Sequence, residues 1–295
     1  MRYLFQFWDE VVKRVKEATQ ILLFLDYDGT LTPIMARPEM AVLSPQAREI
    51  LKRISHHSLF KLAIITGRSL REIKALLGLE NITYAGNHGL EIECPPRHCR
   101  GQSPGATSFI HPVALEFQPV LKRLERRLRE KLAGIKGILI EDKGLTLSVH
   151  YRLVKETEVG TVRRLFFEAL ASSLRGTKAP NNSPFPLTKE GKGGEKAEVL
   201  VRLKVTEGKK VLEVRPPVEW SKGKAIEWLL HVYDGKRSLA IFAGDDATDE
   251  DGFKALQRVG GISIFIGESK ASSAADYYLN SPEQLCYWLG RLSQL

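Results

Sequence analysis

The residues most able to do chemistry are Asp26-Tyr27-Asp28-Gly29-Thr30, directly after the apolar run ILLFL. Two carboxylates one residue apart can serve one site only if the chain turns there, and Gly29 permits a turn. A carboxylate in such a place can attack phosphorus and form an acyl phosphate. Its neighbour can protonate the leaving oxygen and then deprotonate the incoming water. A solvated Asp-Gly turn is the plainer reading of the same residues. A second acidic cluster, Gly244-Asp245-Asp246-Ala247-Thr248-Asp249-Glu250-Asp251, ends another apolar run. Oxygen-only donors at this density suit a hard cation such as Mg2+. Acidic residues complementing a helix N-terminus account for Asp249 to Asp251 equally well, and less well for Asp245 and Asp246.

Two weaker signals accompany these. Thr66-Gly67-Arg68 offers a hydroxyl and backbone N–H groups at a helix start, which could cradle phosphate or merely cap the helix. Lys222, at the start of a later helix, is opposed by the helix dipole, an arrangement a bound anion would relieve.

The elements that must position these residues read as strands alternating with helices. Apolar strands are expected at 21–26, 61–67, 81–89, 238–246 and 261–267. Helices are expected after Ser44-Pro45, after Ser69, from about Lys222, from about Asp249 and over 281–292. Continuous apolar strands are covered on both faces, so the pattern predicts an α/β fold with a doubly wound, mostly parallel Rossmann-like sheet. Ligands bind beyond the carboxyl ends of such strands, and all four signals fall there or at helix starts.

The middle of the chain has a different rhythm: a helix over 112–133, a hairpin over 137–153, a helix over 155–175, then the strand pair AEVLVRLKV and KKVLEVRP. This predicts an α+β unit, 93–215, inserted into a core made of 1–92 and 216–295. Stretches 94–109 and 177–197 read as loops.

The chain has 295 residues and a formal net charge of +9. The segment 93–215 holds 24 Lys/Arg against 14 Asp/Glu, so the excess sits there. Such charge suggests an anionic partner. No aromatic-rich basic stripe points to nucleic acid. No apolar stretch approaches the ~20 residues that span a bilayer, and Asp9 and Glu10 interrupt the N-terminal apolar run, unlike a signal peptide. Leu4, Trp8, Val11, Val12 and Val15 recur at helical spacing, so an amphipathic N-terminal helix is expected. Three cysteines, Cys94, Cys99 and Cys286, suit a cytoplasmic protein. Cys94, His98 and Cys99 lack a second ligand pair of zinc-site spacing.

The strings LDYDGTLTPI, ITGRS, YAGNHGLEI, EDKGLTLSVHYR, LEVRPPVEWSKGKAI and GDDATDEDGF together resemble the haloacid dehalogenase-like phosphatases, and within them the trehalose-6-phosphate phosphatase branch. The first and last strings are widespread in the superfamily; YAGNHGLEI and the hairpin are more specific to the branch. The resemblance implies hydrolysis of trehalose 6-phosphate with Mg2+, through an aspartyl-phosphate on Asp26 with Asp28 as acid/base. Magnesium would be held by Asp26, the Asp28 backbone carbonyl, Asp245 and Asp249, and the phosphate by Thr66, Gly67 and Lys222. In the insertion, which matches the family's mobile cap, Glu141, Lys143, Arg152 and Glu213 match positions contacting the disaccharide. Asn87 and His88 would, by the same resemblance, contact the sugar or order the loop. The trehalose-phosphate synthase is a candidate protein partner.

Sugar hydroxyls need both donors and acceptors, which this set supplies. Glu141 and Lys143 lie two apart on one expected strand, as do His150 and Arg152 on its partner and Glu213 and Arg215 on the next, so each pair shares a face. Cross-strand ion pairs on a solvated face are the alternative. The rival functions are a phosphatase for another sugar phosphate such as sucrose 6-phosphate, and a non-catalytic sugar-phosphate-binding module.

Overall fold

The computed structural model describes residues 1–96, 98, 108–174, 203–208, 210–233, 238–269 and 272–295. The expected loop 177–197, the residues before Leu203 in AEVLVRLKV, and Cys99 lie outside them.

In chain order, the N-terminal part holds β1 (Arg2–Tyr3), α1 (Trp8–Glu17), β2 (Gln20–Leu25), α2 (Pro45–His56), β3 (Phe60–Ile65), α3 (Leu70–Leu77), β4 (Thr83–Gly86), β5 (Glu91–Glu93) and β6 (Ser108–Ile110). Next come α4 (Pro112–Glu116), α5 (Gln118–Leu132), β7 (Leu139–Asp142), β8 (Leu147–His150), α6 (Glu156–Leu174), β9 (Lys204–Gly208) and β10 (Val211–Arg215). The return holds α7 (Lys222–Val232), β11 (Ser238–Gly244), α8 (Glu250–Arg258), β12 (Ile262–Ile266), β13 (Tyr277–Leu279) and α9 (Pro282–Leu292).

Among the described residues, nine strands form one sheet in the order β1-β13-β12-β11-β2-β3-β4-β5-β6. The pairings from β1 through β4 are parallel, and β5 runs antiparallel to β4. The chain leaves β2 toward β3 on one side and returns as β11 on the other. The ends of β2 and β11 therefore flank a topological switch point, the usual ligand crevice of such sheets.

Alternation along the strands builds a core on each face. Ile21, Leu23, Leu25, Leu62, Ile64 and Ile241 point to one side, against α1, α2, α3 and α9. Leu22, Phe24, Ala63, Ile65 and Phe242 point to the other, against α7 and α8. Ser44, Ser69, Ser221 and Ser281 each accept an N–H three residues on, fixing where α2, α3, α7 and α9 begin.

The chain divides into two compact units, Met1–Phe109 with Trp220–Leu295, and Ile110–Glu219. The division falls later than the expected 93 and 215. Tyr84 pairs with Glu93 and β6 continues the sheet beyond β5, so the strands after residue 90 remain with the core. The second unit carries a four-stranded sheet in the order β7-β8-β10-β9, all antiparallel, with α5 packed on α6.

Three local expectations are corrected. The strand expected over 81–89 stops at Gly86, because Asn87, His88 and Gly89 all take left-handed backbone angles that reverse the chain into β5. The helix expected over 112–133 is broken at Phe117: Pro119 has no N–H to donate to the Leu115 carbonyl oxygen, and its ring would crowd that carbonyl in a continuous helix. The hairpin strands are shorter than 137–153. β1 and β13, at the far sheet edge, had no sequence signal. Among the described residues, no helix is long and apolar enough to cross a membrane.

Candidate functional site

Asp26 follows β2 and Asp245 follows β11, so the switch point sets them side by side. Gly29 makes the approach feasible. Its φ is +87°, and a Cβ there would lie 2.2 Å from Asp245 Oδ2. Gly244 serves Asp249 in the same way, since a Cβ on it would lie 2.3 Å from Asp249 Cγ. Asp249 Oδ2 accepts the Asp245 and Asp246 N–H groups at 3.0 and 3.1 Å, folding the acidic loop back on itself. Thr30 Oγ1 lies 3.5 Å from Asp26 Oδ2 and 3.4 Å from Asp245 Oδ1, bridging the two loops.

Lys222 enters from the first turn of α7. Its Nζ lies 2.8 Å from Asp26 Oδ1 and 2.7 Å from Asp249 Oδ1, with the three side chains only 3%, 6% and 0% exposed. Gly223 lets this helix start sit close to α8, since a Cβ there would meet the Asp251 carbonyl oxygen at 2.4 Å.

Asp26, Asp245 and Asp249 each offer a carboxylate oxygen, all within 4.8 Å of one another. Asp26 and Asp249 share the Lys222 ammonium, and burial keeps both carboxyls raised in spite of it. Burial pushes Asp26 up to about 7 against the pull of Lys222, with Asp245 and Asp246 adding to the rise. Burial likewise lifts Asp249 well above the ordinary carboxylate range. Burial works against the charge on Lys222, but Asp249, Asp26 and Asp246 more than offset it and hold the ammonium well above its usual value. A hard cation with oxygen ligands fits this donor set and would relieve the repulsion.

Asp28 faces elsewhere. Its carboxylate takes a bidentate ion pair from Arg68, Nε to Oδ2 at 2.7 Å and Nη2 to Oδ1 at 2.8 Å. Arg68 also pairs with Glu72 and donates to the Pro38 carbonyl oxygen at 2.8 Å. Thr66 and Gly67 follow β3, the strand beside β2, and the Thr66 hydroxyl accepts the Arg68 N–H at 3.2 Å. Asn87 is fully buried and His88 nearly so. Sequence reasoning assigned no role to Thr30, Arg68 or Glu91. Arg68 was visible as the third residue of the Thr-Gly-Arg string, but nothing in the string reveals its carboxylate partner.

The second unit gathers its own polar cluster. Lys143 Nζ lies 3.4 Å from Glu213 Oε1 and 3.8 Å from Glu141 Oε2. His150 Nε2 lies 2.9 Å from Glu141 Oε2, and Arg215 pairs with Glu213. Lys143 sits just past the end of β7, where its N–H donates to the Thr146 carbonyl oxygen. Arg152 departs from expectation: β8 ends at His150, and Arg152 lies exposed in the turn beyond it. The Tyr151 N–H still donates to the Lys210 carbonyl oxygen, and beyond it the chain turns, with the Val154 N–H donating back to the Tyr151 carbonyl oxygen.

The chain resembles known proteins in sequence and in fold. The model of the family described as trehalose-phosphatase matches residues 24–173 and 197–283. A trehalose 6-phosphate phosphatase of Zea mays is 37% identical over 283 residues, covering 93% of this chain and 70% of that protein. The C-terminal domain of the C. albicans trehalose-6-phosphate phosphatase superposes with a TM-score of 0.72 at 22% identity, covering 97% of this chain and 96% of that one. A haloacid dehalogenase-like hydrolase from Bacteroides thetaiotaomicron shares the fold at a TM-score of 0.57 and 17% identity, covering 92% and 99%. With the family model spanning most of the chain, both its units included, the chain belongs to the trehalose-phosphatase family and is a phosphatase.

Proposed function

We propose that the protein hydrolyses trehalose 6-phosphate to trehalose and inorganic phosphate, with Asp26 as nucleophile and Asp28 as acid/base. The observation that carries this reading is the Asp26 carboxylate at the switch point, with one oxygen held by Lys222 and Asp245 and Asp249 beside it. Lys222 fixes Oδ1 of Asp26, leaving Oδ2 to attack phosphorus. As the new P–O bond forms, the bond from phosphorus to the sugar oxygen breaks, and Asp28 gives that oxygen a proton. Asp28 then removes a proton from water, whose oxygen attacks the same phosphorus and frees the Asp26 carboxylate with inorganic phosphate. Arg68 holds both oxygens of Asp28, so one oxygen parts from it to reach the leaving oxygen while the other keeps Asp28 in place.

Asp26, Asp245, Asp249 and the Asp28 carbonyl would hold the magnesium ion, which when bound supplies positive charge against the phosphoryl oxygens. Thr66, Gly67 and Lys222 would hold the phosphoryl group. In the second unit, Glu141, Lys143, Arg152 and Glu213 offer the mixed donors and acceptors that sugar hydroxyls require. Glu141, Lys143 and Glu213 are paired with one another in the structure, so hydroxyls can enter without leaving a lone buried charge.

A phosphate-release panel tests the reading. Trehalose 6-phosphate, sucrose 6-phosphate and glucose 6-phosphate are supplied to wild type and to Asp26→Asn, with Mg2+ and with EDTA. Release from trehalose 6-phosphate above the others, lost in EDTA and in Asp26→Asn, is the expected result. Preference for another sugar phosphate overturns the substrate assignment. Full activity of Asp26→Asn overturns the mechanism, and binding without release makes the protein a non-catalytic module.

A further inference from the structure

The loop Thr66-Gly67-Arg68 is laced to the turn Asn87-His88-Gly89 by main-chain hydrogen bonds. The Thr66 N–H donates to the Ala85 carbonyl oxygen at 2.9 Å, the Asn87 N–H to Arg68 O at 2.7 Å, and the His88 N–H to Thr66 O at 2.8 Å. There is no slack between them. A Cβ on Gly67 would lie 2.8 Å from the His88 ring, and one on Gly86 would lie 2.4 Å from the Leu70 nitrogen. Any shift of the turn is therefore passed to the loop.

The turn is conformationally costly. Asn87, His88 and Gly89 have φ of 49°, 57° and 88°. For a non-glycine residue this region costs about 1–2 kcal/mol, and it persists only where surrounding contacts over-determine it. The Glu91 side chain supplies such contacts. A single oxygen of Glu91, Oε1, accepts Asn87 Nδ2 at 2.7 Å and the Leu70 N–H at 2.6 Å. Leu70 is the first residue of α3, so Glu91 ties the turn to the helix start that ends the loop. Glu91 itself sits on β5, paired opposite Gly86, and is thereby anchored in the sheet.

We propose that Glu91 is a positioning residue for the phosphoryl-holding loop, clamping the Asn87 turn to the α3 start so that Thr66–Arg68 keeps one shape. This rests on the reading that the loop receives the phosphoryl group. Charge alone argues against a carboxylate here, since a negative group behind an anion-binding loop weakens anion affinity. Its return is geometric: one acceptor oxygen serves two donors. Burial raises the Glu91 carboxyl while Leu70 and Asn87 pull it back, consistent with an acceptor whose charge is incidental.

The test uses Glu91→Gln, Glu91→Leu and Asn87→Gly, with inorganic phosphate as the probe. Affinity is measured by calorimetry on the Mg2+-loaded full chain, alongside kcat and KM for trehalose 6-phosphate. The glutamine carbonyl can accept both donors without the charge, so Glu91→Gln binds phosphate within about threefold of wild type, or tighter. Glu91→Leu loses the acceptor, weakens phosphate about tenfold or more, and lowers kcat/KM by about 10- to 100-fold. Asn87→Gly keeps the left-handed turn without strain, removes one donor, and weakens phosphate in the same direction. A folded Glu91→Leu with wild-type phosphate affinity overturns the proposal. So does a Glu91→Leu that fails to fold while Asn87→Gly binds phosphate normally, because the clamp is then only structural. Should wild type not hydrolyse trehalose 6-phosphate, the functional reading fails, while the phosphate affinities still decide the clamp.

Discussion

Replacing Lys222 by Met, a side chain of similar reach without the charge, strips the only ammonium that contacts the acidic cluster among the described residues. Its two ion pairs, at 2.8 and 2.7 Å, join side chains no more than 6% exposed, so water cannot take its place. Removing one partner of a buried ion pair costs about 3–5 kcal/mol, because the remaining charge is left buried without compensation. Here two carboxylates lose the same partner, which favours the upper end. At roughly 2–4 °C per kcal/mol for a unit of this size, metal-free Lys222→Met should melt about 10–20 °C below wild type at pH 8.

The loss should depend on pH, and the sign follows from Asp26. Burial raises its folded-state carboxyl from 3.8 to about 7. A raised carboxyl favours the folded state while protonated, and that advantage fades as pH climbs through the folded value. Metal-free wild type should therefore lose stability between about pH 4 and 7, and Lys222→Met should lose more over that interval and beyond it. Magnesium restores countercharge. At a hundredfold excess over its dissociation constant a ligand adds about 2.7 kcal/mol, roughly 5–10 °C, and the variant should gain at least as much as wild type. Scanning calorimetry of both proteins in EDTA at pH 5 and pH 8, then with Mg2+, measures all of this. If metal-free Lys222→Met melts within 2 °C (about half a kcal/mol) of wild type at pH 8, the cluster is not held by Lys222 and the electrostatic argument fails.

Three other perturbations address separate parts of the molecule. Gly29→Ala forces a Cβ into a left-handed position 2.2 Å from Asp245 Oδ2, so activity should fall by about 100-fold or more while the far-UV dichroism stays native. Glu213→Gln breaks the pairing with Lys143 and Arg215, and should raise KM for trehalose 6-phosphate about tenfold while turnover of p-nitrophenyl phosphate is retained. Arg68→Lys replaces a planar fork that grips Asp28 and the Pro38 carbonyl with a single ammonium; kcat should fall about tenfold with the Mg2+-induced thermal shift unchanged, read by parallel kinetics and melting.

What the sequence made legible follows from how each feature is encoded. Apart from Gln20 and Lys61, the β2 and β3 strands are apolar because both of their faces are covered, so a short run announced each strand and its central place. The carboxylates stood at the ends of these runs, where the sheet must stop, and a chain that turns at glycine cannot send Asp26 far from the crevice. Other features depend on partners distant in sequence. The Arg2–Tyr3 strand is two residues long and exists because Tyr277 and Tyr278 lie alongside, which no local pattern records. The break at Phe117 was encoded locally by Pro119 but was hidden beneath an unbroken helical periodicity. Arg152 was assigned to a strand by counting residues, whereas the strand's length is set by hydrogen bonds from its neighbour.

The division between legible and hidden also separates two kinds of functional residue. Asp26, Asp249 and Lys222 sit at element ends, and Lys222 pairs directly with both carboxylates, so residue type and position sufficed to select them. Arg68 and Glu91 act on groups brought to them by the fold: the carboxylate of Asp28, the amide of Asn87 and the first N–H of α3. A charged side chain whose partner is a backbone N–H or a distant carboxylate looks, in sequence, like any solvated surface charge. Burial exposes the difference. An Arg68 side chain only 5% exposed must have its charge satisfied within the protein, and it is satisfied by Glu72 and by Asp28, the proposed acid/base. Positioning residues of this kind are therefore found by asking which buried charges lack a local partner in the sequence.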